Sequence, residues 1–251
     1  MGLAQLDHPN IVRMVGTGEV AGDTFNAMEF IEGTLEDRLL RGPLPHAEVV
    51  RLTLAIASAL EYARARAMIS NLAPRTIQLD KTGVPKLTDF HRAADTVDAR
   101  KMMFSPFMAK EELVGTVTPA TDVYRVGAVM YAMLTGVPPF GSVGVTEVMM
   151  SLLERDPTPP RQVNPLVSEP LEAICLKCLE KRPDARYPAL QELIKALEPL
   201  AGRPERRRRG SIRITPGGLE GRGEGCRRAA AARRTVDRAP SARPQDSPRG
   251  A

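Results

Sequence analysis

The stretch Met68 to His91 reads M-I-S-N-L-A-P-R-T-I-Q-L-D-K-T-G-V-P-K-L-T-D-F-H. Two short apolar runs, Thr76 to Leu79 and Val84 to Leu87, flank Asp80-Lys81-Thr82-Gly83. Strand-forming runs on either side of a Gly-containing turn predict a β-hairpin. A tight loop around Asn71 precedes the hairpin and the pair Asp89-Phe90 follows it.

The order of loop, hairpin and Asp-Phe pair resembles the catalytic core of the protein kinases, where H-R-D-L-x-x-x-N is followed by a hairpin and D-F-G. Here those positions read Ile69-Ser70-Asn71-Leu72-Ala73-Pro74-Arg75-Thr76 and Asp89-Phe90-His91. By this resemblance Asn71 stands where the family has its proton-accepting Asp, and a neutral amide lacks the basic lone pair for that role. Ala73 stands where a Lys usually faces the transferred phosphoryl group, and a methyl offsets no developing charge. Thr76 stands at the Asn that holds one Mg²⁺. Asp89 keeps the position of a Mg²⁺ ligand, while His91 replaces a Gly whose backbone freedom it lacks. Gln78 occupies a position under the adenine ring that is usually apolar, and so must find a partner or stay wet.

Further motifs carry the resemblance along residues 3 to 200. Leu6-Asp-His-Pro-Asn-Ile-Val12 is similar to the joint between helix C and the fourth strand. Met28-Glu-Phe-Ile-Glu-Gly33 is similar to the hinge, which implies Met28 as gatekeeper and the backbone of Glu29 and Ile31 at an adenine edge. Thr118 to Phe140, with Asp122-Val-Tyr-Arg-Val-Gly127, is similar to helix F and its following turn. In the family the equivalent of Asp122 bonds backbone amides of the catalytic loop. Ala109-Lys110-Glu111 stands at A-P-E, and Arg182-Pro-Asp-Ala-Arg-Tyr-Pro188 at D-P-x-x-R, which implies a Glu111–Arg186 ion pair. Phe104 replaces the Thr that precedes A-P-E. Met14, Ile69 and Phe90 stand at positions of the hydrophobic spine. Thr96 and Ser105 offer hydroxyls for phosphorylation in the Arg92 to Met108 segment.

The apolar pattern predicts strands over Ile11 to Thr17 and Thr24 to Ile31, and helices over Thr34 to Leu40, His46 to Met68, Val145 to Glu154, Glu169 to Lys181 and Ala189 to Leu200. The run Val123 to Leu134 is apolar nearly all round and so belongs at the centre of its lobe. Asp156 to Pro165 reads as a proline-rich connector. The implied fold is α+β and protein-kinase-like, a mostly helical large lobe with only the last strands of the small lobe. Residues 1–33 would be the small-lobe remnant with hinge, 34–200 the large lobe and 201–251 a separate tail. No G-x-G-x-x-G follows a strand, and the phosphate loop and its Lys would fall upstream of Met1.

The charge is uneven. Residues 201–251 hold 14 Arg, no Lys and 5 acidic residues, so the chain's net +5 leaves residues 1–200 acidic. The tail has no apolar periodicity and predicts disorder. Its Arg clusters would meet nucleic acid or an acidic surface weakly, and it has no aromatic residue for base stacking. Three cysteines form no disulfide framework. Cys175-Leu-Lys-Cys178 reads as two small residues on one helix face. With no membrane-length apolar run and no signal pattern, the expected location is cytoplasmic.

The resemblance implies ATP and Mg²⁺ as cofactors, and the changed loop puts their use in question. The leading expectation is a pseudokinase, a kinase-like interaction or regulatory module with a protein partner and no phosphotransfer. The alternative is an active ATP-dependent serine/threonine kinase whose small lobe lies on a longer product, and the third is a decayed gene fragment.

Overall fold

The computed structural model describes residues 6–20, 23–92, 104–141 and 144–202. Among the described residues, seven short strands lie before residue 93, and a long helix before it joins the helices after it to build the helical body. β1 (Met14–Val20) and β2 (Asp23–Met28) form an antiparallel pair. β3 (Gly33–Thr34), β5 (Ile77–Leu79) and β6 (Pro85–Leu87) form a three-stranded antiparallel sheet with β5 in the middle. β4 (Met68–Ser70) pairs with β7 (Phe90–Arg92). This is an α+β arrangement.

The hairpin forms because its turn satisfies itself. Asp80 Oδ1 accepts from the Thr82 N–H at 2.8 Å, the Thr82 hydroxyl at 2.7 Å and the Val84 N–H at 2.9 Å. An Asp side chain that substitutes for a turn's backbone acceptor is the usual reason for Asp at that position. The register Ile77↔Leu87 then puts both apolar residues into the core, where each is fully buried.

α1 (Leu35–Leu39) starts at a reciprocal cap. Thr34 Oγ1 accepts from the Asp37 N–H at 3.1 Å, and Asp37 Oδ2 accepts from the Thr34 N–H at 3.0 Å. α2 (His46–Arg64) buries Val49, Leu52, Ile56, Ala59, Leu60 and Ala63 along one side. It stops short of the predicted Met68. Ala67 takes a left-handed φ of 57°, which turns the chain out of the helix and delivers Met68 to Ser70 into pairing with Phe90 to Arg92. Helical periodicity could not reveal that pairing, because its partner lies twenty residues downstream.

The N-terminal strands also shift. Residues Asn10 to Val12 bond to Leu87 (Val12 N–H to Leu87 O and Leu87 N–H to Asn10 O, both 2.9 Å). They therefore belong beside β6 and not to the first strand, which begins at Met14. The predicted second strand stops at Met28.

α3 (Pro119–Thr135) is the centre of the body: every residue from Ala120 to Thr135 is buried. It ends at Gly136, whose left-handed φ of 84° closes the last turn, its N–H bonding the Ala132 carbonyl at 2.8 Å. α4 (Val145–Glu154), α5 (Pro160–Val163), α6 (Glu169–Cys178) and α7 (Leu190–Leu197) follow. α5 sits in the proline-rich connector, where Pro160 occupies the first helical position and gives up no hydrogen bond there. α6 ends three residues before the predicted Lys181. Lys181 instead caps α4, donating from Nζ to the carbonyls of Leu152 (2.7 Å) and Ser151 (3.3 Å) with its ammonium over the Phe140 ring. α7 ends at Leu197, and residues 198–200 form one 3₁₀ turn.

α6 lies against α3 at Gly127. A Cβ placed there would stand 2.4 Å from the Cβ of Cys178. Cys175 and Cys178 are both fully buried, and the Cys175 thiol points to the Gly127 carbonyl at 3.7 Å. Burial pushes both thiols up, so they stay protonated at neutral pH. Among the described residues, no helix is long and apolar enough to cross a membrane. The Arg-rich tail from residue 203 and Thr96 lie outside the described residues.

Three expected outcomes follow from this packing. Gly127→Ala should cost about 1–3 kcal/mol through overpacking, read as a lower denaturant midpoint with an unchanged slope. Breaking the buried Glu111–Arg186 pair with Arg186→Met should cost about 3–5 kcal/mol. Burial pushes the Glu111 carboxyl up, but the hydrogen bonds and charge of Arg186 outweigh it and hold the carboxyl below its ordinary value. A depressed carboxyl gives stability that is fully present above its unfolded value, about 4.3, and is lost as pH falls through the lower folded value. Unfolding titrations across the acid range should therefore show a shallower acid-side loss in Glu111→Gln than in the parent.

Candidate active site

Asn71, Ala73 and Thr76 sit in one loop between β4 and β5, closed by a 3₁₀ turn over Pro74–Thr76. The Thr76 hydroxyl organises that loop. It accepts from the Ala73 N–H at 3.0 Å and is shared between the carbonyls of Asn71 and Ala73, each at 3.0 Å. Thr76 is buried. Its oxygen is committed to the backbone and turned away from solvent, so it is a loop strut and a poor metal ligand. Its carbonyl in turn accepts from the Thr88 N–H at 2.9 Å and the Thr88 hydroxyl at 3.0 Å, which fastens the loop to the residue before Asp89.

Asp89 has a left-handed φ of 59°, uncommon for a residue with a Cβ. Its carbonyl accepts from the Asn71 N–H at 3.2 Å, so the two positions are joined through backbone. The Asp89 residue itself is exposed, and no protein hydrogen bond to its carboxylate is found among the described residues. It is the one carboxylate at this loop that could hold a cation. His91 pairs with Ile69 in the β4–β7 ladder. Its backbone is extended, so the conformational freedom of a Gly is not needed at this position. Phe90 and Ile69 are both buried, whereas Met14 is only partly so.

The hinge positions lie along the end of β2. Met28 is 48% exposed and Phe30 90% exposed, so neither closes a pocket among the described residues. Glu29 is tethered: its Oε1 accepts from Lys86 Nζ at 2.6 Å and from the Arg13 N–H at 2.9 Å. The Lys86 hydrogen bond, with the Arg13 N–H, holds the Glu29 carboxyl below its ordinary value. No backbone bond of the Ile31 N–H or of the Glu29 carbonyl is found among the described residues. Gln78, facing the same region from β5, keeps Oε1 buried with no protein partner. It has not found the hydrogen bond that its burial demands.

The lower half of the site is held by three charged pairs around α3. Arg186 donates to Glu111 at 2.6 and 3.1 Å, to the carbonyls of Glu180, Ala120 and Lys181, and lies over the Tyr124 ring. Asp122 accepts from Arg64 Nε, and Arg64 also donates to the Thr118 carbonyl at 2.8 Å. No bond from the loop's backbone amides to Asp122 is found among the described residues; its Oδ2 accepts from the α2 guanidinium of Arg64. The loop is instead reached by Arg125, which donates to the Ser70 carbonyl and forms a two-pronged pair with Glu112. Burial pushes the Glu112 carboxyl up against the pull of Arg125. Sequence reasoning passed over both partners, although a signal was present. Arg125 is the single charge within the apolar run Val123 to Leu134, and a charge in an all-buried helix must be matched. Ser105 is buried, and its Oγ accepts from the Phe107 N–H at 3.3 Å, so it is part of the packing.

The protein kinase domain family matches residues 2–196 of the chain. A probable serine/threonine-protein kinase of Clostridium perfringens is 32% identical over 216 residues, covering 80% of this chain and 31% of the relative. Serine/threonine-protein kinase PknB of Mycobacterium leprae is 31% identical over 205 residues, covering 76% of this chain and 33% of the relative. Serine/threonine-protein kinase PkaA of Streptomyces coelicolor is 35% identical over 215 residues, covering 79% and 38%. The chain thus spans about a third of the length of these curated relatives. With the hairpin, the α3 hub and the Glu111–Arg186 pair in one arrangement, the chain belongs to the protein kinase domain family, and its relatives are bacterial serine/threonine kinases.

Proposed function

We propose that this chain is a kinase-fold module that does not transfer phosphate and acts through contacts with a protein partner. The observation that carries the reading is the loop at residues 71–76. Its Thr76 hydroxyl is spent on the Asn71 and Ala73 backbone. A proton acceptor, a phosphoryl-facing cation and a second metal ligand are all replaced there by Asn71, Ala73 and Thr76. Phosphoryl transfer depends on positioning and charge stabilisation, and an amide, a methyl and a buried hydroxyl supply none of that charge. The domain's body is nevertheless built, with two buried ion pairs, Arg125–Glu112 and Arg186–Glu111, each costly to break. A module selected for its surface needs that body and not the cleft chemistry.

A second reading rests on Asp89. Asp89 is exposed, and with the backbone of Glu29 and Ile31 it stands where the family resemblance puts a Mg²⁺ ligand and an adenine edge; the relatives are named as serine/threonine kinases. On that reading the chain is one part of an active ATP-dependent serine/threonine kinase. On this second reading ATP and Mg²⁺ would be held by Asp89 and by the Met28 to Ile31 edge, with Gln78 beneath.

Steady-state incubation of the chain with Mg²⁺-ATP and a general protein substrate separates the readings. The module reading expects no ATP-dependent phosphorylation, and phosphorylation that vanishes in Asp89→Ala would overturn it. A thermal melt adds the binding side. Nucleotide at about 100 times its Kd would stabilise the fold by about 2.7 kcal/mol, and the module reading expects a cooperative melt with no such shift. The role of Thr76 is tested separately with Thr76→Val. Loss of a buried hydroxyl from the loop should cost about 1–3 kcal/mol in urea unfolding. A Thr76 that waits only for a metal would leave the metal-free stability unchanged.

A further inference from the structure

The H-R-D position that carries Arg in the kinase motif is Ser70 in this chain. A guanidinium nevertheless reaches the same point of the loop, from α3. Arg125 is buried, and it donates to the Ser70 carbonyl while its Nε donates to Glu112 Oε1 at 3.0 Å and a second nitrogen to Glu112 Oε2. Glu112, also buried, accepts at the same time from the Ala109 N–H at 2.7 Å. From Ser70 the chain of contacts continues: the next residue, Asn71, donates its N–H to the Asp89 carbonyl at 3.2 Å.

We infer that Arg125 is the positioning residue of the loop, setting from α3, with Glu112 as its counter-charge, the backbone of Ser70 and Asn71 and through them the turn at Asp89. Three features carry this. The Ser70 carbonyl points to a charged donor inside the protein, where a charge-assisted bond is stronger than a neutral one. Glu112 holds that donor in a two-pronged grip, which fixes the plane of the guanidinium and hence the direction of the remaining nitrogen. No other side chain donates to the Ser70 carbonyl among the described residues. The backbone of Ser70 and Asn71 is therefore held from below by Arg125, while the Thr76 hydroxyl braces the part of the loop that follows. This goes beyond the question of phosphotransfer and holds under either reading of the site.

The test is a charge-reversed pair, Glu112→Arg with Arg125→Glu, in the full chain. The ion pair survives in reverse, but a carboxylate at 125 has no proton to give the Ser70 carbonyl. Hydrogen exchange read by mass spectrometry should then show amides at 69–71 and 90–92 exchanging at least tenfold faster, with amides at 110–115 and along α3 within about twofold of the parent, a tenfold change being about 1.4 kcal/mol. Unchanged exchange at 69–71 and 90–92 overturns the inference. So does a rise spread evenly over 110–115 and α3, which would make the pair ordinary packing. If the reversed pair does not fold, the parent protein answers the question by NMR. A held Arg125 gives separate, slowly exchanging Nη protons with contacts to Ser70, whereas averaged, freely rotating Nη protons overturn the assignment.

Discussion

α3 is buried on every side, and yet it carries Asp122 and Arg125. A charge removed from water without a partner costs far more than the fold's net stability can bear. Each of these residues must therefore be met, and each is met by a different part of the chain. Arg64 comes from the end of α2, and Glu112 from the turn after residue 104. A third pair, Glu111 with Arg186, closes the same region from the far end, its guanidinium lying on the Tyr124 ring. The consequence is geometric. A slip of α3 by one residue would strand two charges and unseat Gly127 from Cys178 at once. The pairs act less as sources of stability than as constraints on register, because a well-packed apolar replacement could match their net contribution.

What the sequence makes legible follows the range of the interactions involved. The β5–β6 hairpin is written locally, in Asp80 and Gly83, and it forms where those residues place it. α4 has its boundaries in its own periodicity, Val145 to Glu154. α3 is legible from the length of its apolar run. The end of α2 is not, because Ala67 leaves the helix only to let Met68 to Ser70 meet Phe90 to Arg92, and no local pattern encodes a partner so far away. The pairing of Asp122 Oδ2 with Arg64 is illegible for a related reason, since Arg64 lies 58 residues away in the sequence. Exposure of Met28 and Phe30 is equally illegible, since an apolar strand end reads the same whether or not another layer covers it.

The site positions divide by what each side chain faces. Thr76 faces the loop's own carbonyls, and a hydroxyl serves there as well as a larger amide would, because the requirement is one acceptor and one donor at short reach. Asn71 contributes its backbone to the Asp89 carbonyl, a bond indifferent to the side chain. Glu111 and Arg186 face each other inside the protein, where neither can change alone. Asn71, Ala73 and Thr76 are thus altered where the implied roles point outward to a substrate, whereas Glu111 and Arg186 are kept with roles satisfied within the chain; Asp89 alone of the named loop positions is kept with an outward role. That division is the physical content of the proposed loss of phosphotransfer.

Asp89 tests how far such reasoning extends. A left-handed backbone at a residue with a Cβ costs about 1–3 kcal/mol and usually marks a site where something outside the local chain demands it. Here the demand is visible in the protein itself. Thr88 is fixed before it by two bonds to the Thr76 carbonyl, and Phe90 after it by the ladder with Ser70. Between two anchored neighbours, one residue must reverse the chain, and Asp tolerates that conformation better than most. The strain at Asp89 is accounted for by the loop and the β4–β7 pair, without any cation. Its backbone conformation therefore follows from the fold, and only the exposed carboxylate remains as an argument for a metal.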